Sequence, residues 1–275
     1  MPVQNGSTHQ RVRRVLASAR DWRGTLLQMR WQATRALTPR RLVHARGLQF
    51  TLQCENWITH YRWQTYNEKE PETLDWIDRW VREGGTFFDI GANVGVYTLY
   101  AALRHPQARV VAFEPEYANL HLLRDNLIAN RLQDRVEVYA VALSDRSGVS
   151  RLHIQDLAPG AALHTESRVL LEQTRSGRAV LWREGICTLT LDAFCEETGI
   201  VPQAIKLDVD GTEPQVLVGA RRTLASPTLC SLLIELPSPP ESRRTCEQLL
   251  RDAGLQCQWR DPQGMSPNQV WARGG

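Results

Sequence analysis

The chain's six cysteines (Cys54, Cys187, Cys195, Cys230, Cys246 and Cys257) include no C-x-x-C pair and follow no regular spacing. This argues against a disulfide framework or a zinc site and favours a reducing compartment. No stretch approaches the ~20 apolar residues of a membrane span, and the arginine-rich N-terminus lacks the uninterrupted apolar run of a signal peptide. Nor is there a G-x-G-x-x-G turn or a G-K-[ST] sequence, the usual means of gripping a pyrophosphate or a triphosphate. These absences predict a cytoplasmic protein, with contact at the inner membrane surface left open.

What is present divides unevenly. The net charge of +3 hides a split: residues 1–48 hold ten Arg against the single acid Asp21 (10 − 1 = +9), so the remainder carries 3 − 9 = −6. Within that arm Val12, Val15, Ala19, Trp22, Leu26, Met29 and Ala33 recur at alternating steps of three and four, one apolar stripe on a helix among arginines. Pro39 disfavours helix at the residue before it. Such a helix can dock on a protein surface, lie on an anionic membrane or contact nucleic acid. The last is the least supported, since no aromatic platform or binding motif accompanies the charge. The organisation expected is a basic arm over 1–48 and one α/β domain over 49–275, large enough at 42% hydrophobic residues to bury a full core.

Residues 42–60 look strand-like and 68–83 helical, and then a repeating order begins. Apolar runs of strand length at 86–90, 108–115, 135–144, 204–210 and 229–237 mostly precede helical stretches, the pattern of parallel strands covered on both faces. The tail "LQCQWR…NQVWARG" reads as an antiparallel hairpin at the sheet edge. Residues 145–190 interrupt the alternation, and an insertion of that length suits a lid or substrate loop.

The stretch "TFFDIGANVGVYTLYAA" puts a strand, a glycine turn (Gly91-x-x-x-Gly95) and a helix in sequence. Ligands of open parallel sheets bind at such carboxyl ends. Asp89, two residues before Gly91, would repel a pyrophosphate but suit an ammonium group. S-adenosylmethionine has an ammonium, a sulfonium and an adenosine. Glu114 ends the next strand 23 residues after Gly91 (114 − 91), near the ~20-residue offset of an acid that binds ribose hydroxyls. Asn93 is placed to cap the helix expected from Val94, to contact the ligand, or both. Ala142, within residues 142–145 at the end of the third strand, would border the adenine.

Four ordered blocks then carry a family resemblance: "FFDIGANVGVYTLYAA", "VVAFEPEYANLHLLRDNLIAN", "VALSDRSG" and "IKLDVDGTEPQVLVGARRTL". With "EPETLDWI" and "LLIEL" they cover about residues 68–237, and the chain resembles the FkbM-type methyltransferases, which move a methyl group from S-adenosylmethionine to oxygen. The resemblance implies a Rossmann-like, seven-stranded class I methyltransferase sheet, mostly parallel, with the cofactor over Asp89, Gly91 and Glu114. It also implies an acceptor hydroxyl on a sugar, glycan or other secondary metabolite. One departure is Asp210, where the family often has glutamate.

In "AIKLDVDG", alternation places Lys206, Asp208 and Asp210 on one side of a strand. Charges there are costly unless paired or used. Asp208 is the first candidate for general base or for orienting the acceptor, with Glu235 beside it; a structural Lys206–Asp208 ion pair is the plainer role. Asp208, Asp210 and Glu235 together would also suit Mg²⁺, and His164 in the insertion is a further candidate base. Glu213 is expected to support the helix that follows it. Trp57, Trp63 and Trp76 read as packing residues, any exposed one being able to stack on a sugar. Two other function classes stay open on sequence: a nicotinamide-dependent oxidoreductase and a non-catalytic Rossmann-like binding module.

Overall fold

The computed structural model describes residues 26, 29, 30, 39–237 and 240–274. The chain divides into two compact units, residues 1–39 and 40–275. In the first, Leu26, Met29 and Arg30 are helical, while Val12, Val15, Ala19, Trp22 and Ala33 of the expected stripe lie outside the described residues.

The second unit opens with an antiparallel hairpin, β1 (Arg40–Ala45) and β2 (Leu48–Gln53), turning at Arg46 and Gly47 with φ of 49° and 83°. This hairpin straddles residue 48, where the charge boundary had been drawn, because Arg40 and Arg41 occupy exposed positions of a strand. Helix α1 (Trp57–Gln64) starts at a reciprocal cap, Asn56 accepting from Thr59 N while Thr59 Oγ1 accepts from Asn56 N. Helix α2 (Pro71–Trp80) places Pro71 in its first turn, where no N–H is needed.

The alternation expected from sequence follows: β3 (Thr86–Ile90), α3 (Val96–Arg104), β4 (Arg109–Phe113), α4 (Tyr117–Ala129) and β5 (Val136–Tyr139). The run 135–144 is not one strand. It breaks after Tyr139, and β6 (Ala142–Leu143) joins a separate sheet with β7 (Gly148–Ile154), β8 (Thr165–Ser167) and β9 (Trp182–Leu189), in the order β6-β9-β7-β8. Much of the expected 145–190 lid is therefore sheet. After α5 (Leu191–Thr198) come β10 (Ala204–Leu207), α6 (Glu213–Val218), α7 (Arg221–Ala225), β11 (Ser231–Glu235), α8 (Pro240–Asp252), β12 (Leu255–Arg260) and β13 (Asn268–Arg273).

The main sheet has seven strands in the order β12-β13-β11-β10-β3-β4-β5, parallel from β11 to β5, with β13 antiparallel to both β11 and β12. This is the class I methyltransferase sheet with its C-terminal hairpin. Strand alternation separates two apolar layers. Phe87, Val110, Ala112 and Leu233 pack with Leu74, Ile77, Leu99 and Leu122 on one face. Phe88, Val111, Ile205 and Leu232 pack with Phe194, Val216 and Leu250 on the other. Each such buried side chain contributes roughly 1.5–3 kcal/mol. Chain direction across the sheet reverses between β3 and β10, so their carboxyl ends flank the switch point at which open α/β sheets bind ligands.

Candidate active site

A cavity of about 250 Å³ lies at that switch point. Gly91, Asn93, Glu114, Ala142, Asp208 and Glu235 line it, as do Asp210 and His164; Asp89 and Gly95 do not.

Asp89 and Gly95 thus stand behind the cavity wall and not on it. Asp89 is 1% exposed, with Oδ2 accepting from Thr98 Oγ1 at 2.5 Å and Oδ1 3.8 Å from Lys206 Nζ. Its carboxylate sits under the turn, among protein partners. Gly95 is the N-cap of α3 at φ 84°, and a Cβ there would run into Leu123 of α4, so it serves helix packing. Gly91, at φ 80°, does line the cavity; a Cβ would collide with the Asp208 carbonyl, which makes glycine the residue that lets the β3 and β10 ends close together.

Asn93 does not cap the helix, which begins two residues later than expected. At φ 51° it sits in the left-handed region that asparagine tolerates. Its backbone N–H donates to Glu114 Oε2 at 2.8 Å, and its side-chain amide donates to Ala161 O at 2.8 Å. Glu114 also accepts from Glu116 N at 2.9 Å, and burial still pushes its carboxyl up to about 8 against these two donors.

The other end of the cavity concentrates charge. The strand ends at Leu207, so Lys206 and Asp208 meet at 3.2 Å at its tip while Asp210 turns through φ 57° to reach the cavity separately. Glu235 at the tip of β11 is pushed up to about 9, first by the charge of Asp208 and then by burial. Asp210 is pushed up to about 7 by burial and by Asp208, and accepts from Leu163 N at 2.6 Å. Glu213 ties the turn before its own helix, accepting from Val209 N and Gly211 N.

The segment 158–164 straps across one wall, held by side chains the sequence reading had passed over. Asn119 accepts from Gly160 N at 2.7 Å and donates to Ala161 O at 3.1 Å; Arg62 donates twice to Gly160 O, at 3.0 and 2.8 Å; Asn56 donates to Pro159 O at 2.8 Å. Following it, His164 and Glu166 line the cavity while Thr165 between them does not, the alternation of a strand. His164 is buried with neither ring nitrogen bonded to any described residue, and burial lowers its pKa, so the neutral ring offers one donor and one acceptor. Composition held one unused signal: Lys69 and Lys206 are the only lysines among the 33 Lys and Arg residues, and Lys69 lines the cavity while Lys206 pairs with Asp208 on its wall.

The Mg²⁺ expectation is not supported. Among the described residues no group of three or more His, Cys, Asp or Glu is arranged to hold a metal, because Asp208 is drawn to Lys206 and Asp210 to the Leu163 amide. Among the same residues no helix is long and apolar enough to cross a membrane.

A family model described as the methyltransferase FkbM domain matches residues 89–256, a span containing most of this cavity. The chain belongs to the FkbM methyltransferase family. Among FkbM-related proteins, it is 43% identical over 72 residues to the 31-O-demethyl-FK506 methyltransferase FkbM of Streptomyces tacrolimicus, a match covering 26% of this chain and 27% of that one. To Methyltransferase sdnD of Sordaria araneosa it is 27% identical over 205 residues, covering 66% and 77% respectively. A solved FkbM methyltransferase from Methylobacillus flagellatus superposes with a TM-score of 0.43 at 15% identity, covering 70% of this chain and 44% of that one.

A class I methyltransferase fold implies S-adenosylmethionine as methyl donor. The cavity holds the kinds of group such a cofactor would need: an acid at the end of β4, an apolar slot from Ala142, Leu143 and Leu152 edged by His164, and the acidic side chains Asp208, Asp210 and Glu235.

Proposed function

We propose that the chain is an S-adenosylmethionine-dependent O-methyltransferase acting on a hydroxyl of a sugar, glycan or other secondary metabolite. The observation that carries this reading is one cavity with Glu114 at one strand end and the Asp208–Glu235 pair at two others, joined across the Gly91 turn. Acids at three strand ends, with no phosphate-binding glycine motif beside them, suit a sulfonium better than a pyrophosphate, which disfavours the nicotinamide reading. The Streptomyces relative is named for O-methylation, which supports oxygen as the acceptor atom.

Bound S-adenosylmethionine supplies a methyl group on a positively charged sulfur. Glu114 would accept from the ribose hydroxyls, with its two backbone donors fixing the carboxylate in place. Ala142, Leu143 and Leu152 would cover the adenine, and His164 would offer it a ring nitrogen. Asp208, held by Lys206, would take the O–H of the acceptor and orient it in line. The neighbouring Asp208 and burial push Glu235 up toward its protonated form, so Asp208 would be the group that takes the proton of the acceptor hydroxyl. The strap 158–164 closes a wall against water. Most of the catalysis asked of the chain is therefore alignment and desolvation.

Titration calorimetry of the full chain with S-adenosylhomocysteine and, separately, NADH tests the reading. Micromolar binding of the former and none of the latter is expected; tighter binding of NADH would overturn it.

A further inference from the structure

Beyond the strap a second hollow of about 210 Å³ opens, sharing Arg62, Lys69, Ala161 and Ala162 with the inner cavity and adding walls of its own from Tyr61, Asp156 and Arg178. The two hollows carry opposite charge. The inner one is edged by carboxylates. The outer one gathers three cations against Asp156, whose Oδ1 already accepts from Ala158 N at 2.9 Å.

These cations are not equally committed. Lys69 stands 2.8 Å from Glu70 and is balanced by it. Arg62 donates through Nε and Nη2 to a single neutral carbonyl, that of Gly160, so its positive charge is not cancelled there. Arg178 lines only the outer hollow, and among the described residues neither arginine has a carboxylate within ion-pair distance. Tyr61 provides a flat wall, its ring 5.4 Å from that of Trp57, which is 72% exposed.

We infer that this outer hollow binds an anionic group, carboxylate or phosphate, carried by the methyl acceptor. The inference rests on the methyltransferase reading above and narrows its substrate class to hydroxylated acceptors bearing such an anion. Charge then sets the direction of entry. Arg62 and Arg178 hold the anion at the mouth, and the neutral hydroxyl end is the one that passes the strap toward Asp208. Guanidinium groups suit both oxyanions through paired N–H donors, so the geometry selects the charge and the experiment separates the two sources.

The test is equilibrium binding to the full chain saturated with S-adenosylhomocysteine, using glucuronate, glucose 6-phosphate and glucose as probes. Saturable binding of glucuronate or of glucose 6-phosphate in the ~1–10 mM range is expected, with glucose not saturating; whichever anion binds tighter identifies the oxyanion. Arg178→Gln should weaken the anion about fivefold or more, Arg178→Lys, which keeps the charge but not the paired donors, should fall between it and the parent, and neither should alter S-adenosylhomocysteine affinity. Arg178 is exposed, and thermal melting of both variants checks that they fold as the parent does. Glucose binding as well as the anions, no saturation by either anion, or Arg178→Gln weakening S-adenosylhomocysteine instead would each overturn the inference. Failure of the unaltered chain to bind S-adenosylhomocysteine is a different result, which removes the cofactor reading and the acceptor class together.

Discussion

Lys206 stands directly beside Asp89 in the parallel register of β10 and β3, with its ammonium 3.8 Å from Asp89 Oδ1 and 3.2 Å from Asp208 Oδ2. One buried cation therefore joins an acid beneath the glycine turn to the acid placed at the reacting end. Burial alone would lower the Lys206 pKa, but Asp208 and Asp89 outweigh it and hold the amine charged. Removing one member of a buried ionic set leaves the others uncompensated, at about 3–5 kcal/mol. Lys206→Met should lower stability by that order in urea denaturation, and adding Asp89→Asn should recover part of it. A single variant as stable as the parent would show that the pair does not hold these strands.

The carboxyls of the cavity make a pH prediction whose sign is set by their direction. Asp210, Glu114 and Glu235 titrate at about 7, 8 and 9 in the folded chain, against roughly 4 when unfolded. Between those limits the folded state binds more protons than the unfolded one, so stability is greatest on the acid side and falls as pH rises from about 4 through 9. Denaturation midpoints measured from pH 5 to 9 should decline steadily, and Glu235→Gln should flatten the upper part of that decline. Midpoints that rise with pH would contradict the burial assigned to these three groups.

Glu114 is assigned to ribose, and its amide donors come from Asn93 and Glu116, so Glu114→Gln keeps the shape while replacing one accepting oxygen by an amide nitrogen that cannot accept. Hydrogen bonds to charged groups contribute about 1.5–3 kcal/mol each. Binding of S-adenosylhomocysteine is expected to weaken by ~10–100-fold on that scale, and stability to fall by about 1–3 kcal/mol because one of the two backbone N–H groups loses its acceptor. Unaltered affinity would assign Glu114 to holding the turn alone.

The fold was legible wherever a local pattern met a local cause. Apolar runs and glycines placed β3, β4, β10 and β11, and polar residues interrupting those runs marked Glu114, Asp208 and Glu235 at the strand ends. The misses share a different origin. Residues 135–144 read as one apolar run, but such a run does not say which sheet a strand joins, and β6 leaves for the smaller one. Asp89 reads as a ligand acid until its neighbour in register, Lys206, lies beside it from 117 residues along the chain (206 − 89). Asn93 reads as a cap because its partner Ala161 comes from the insertion. Arg62 carries no motif at all, and Asn119 sits unmarked inside a quoted block, since what defines both is a loop brought near by tertiary packing.

That loop supports a prediction of its own. Asn119 holds both Gly160 N and Ala161 O, the only described side chain that satisfies two backbone groups of the strap on adjacent residues. Asn119→Ala should leave Gly160 N unpaired at about 1–3 kcal/mol, while Ala161 O keeps the Asn93 amide, so the cost falls on the strap. Hydrogen exchange across residues 158–164 is expected to accelerate severalfold while that of β3 and β4 stays unchanged. Equal exchange in the two proteins would mean that the strap is held from Arg62 and Asn93 instead.

Asp208 is where the mechanism is most exposed to test. Its side chain is shared between Lys206 inside the protein and the cavity outside, so a structural and a chemical role must be separated. Asp208→Ala and Asp208→Asn both remove the proton acceptor, and general-base contributions are of order 10²–10⁴ in rate. Once an acceptor is in hand, both should lose methyl transfer on that scale while retaining S-adenosylhomocysteine affinity within about threefold. If orientation alone were the role, Asn would keep a hydrogen-bonding oxygen at the same place and recover most of the rate, whereas Ala would not. A rate equal to the parent's in both would remove Asp208 from the chemistry and leave it as the partner of Lys206.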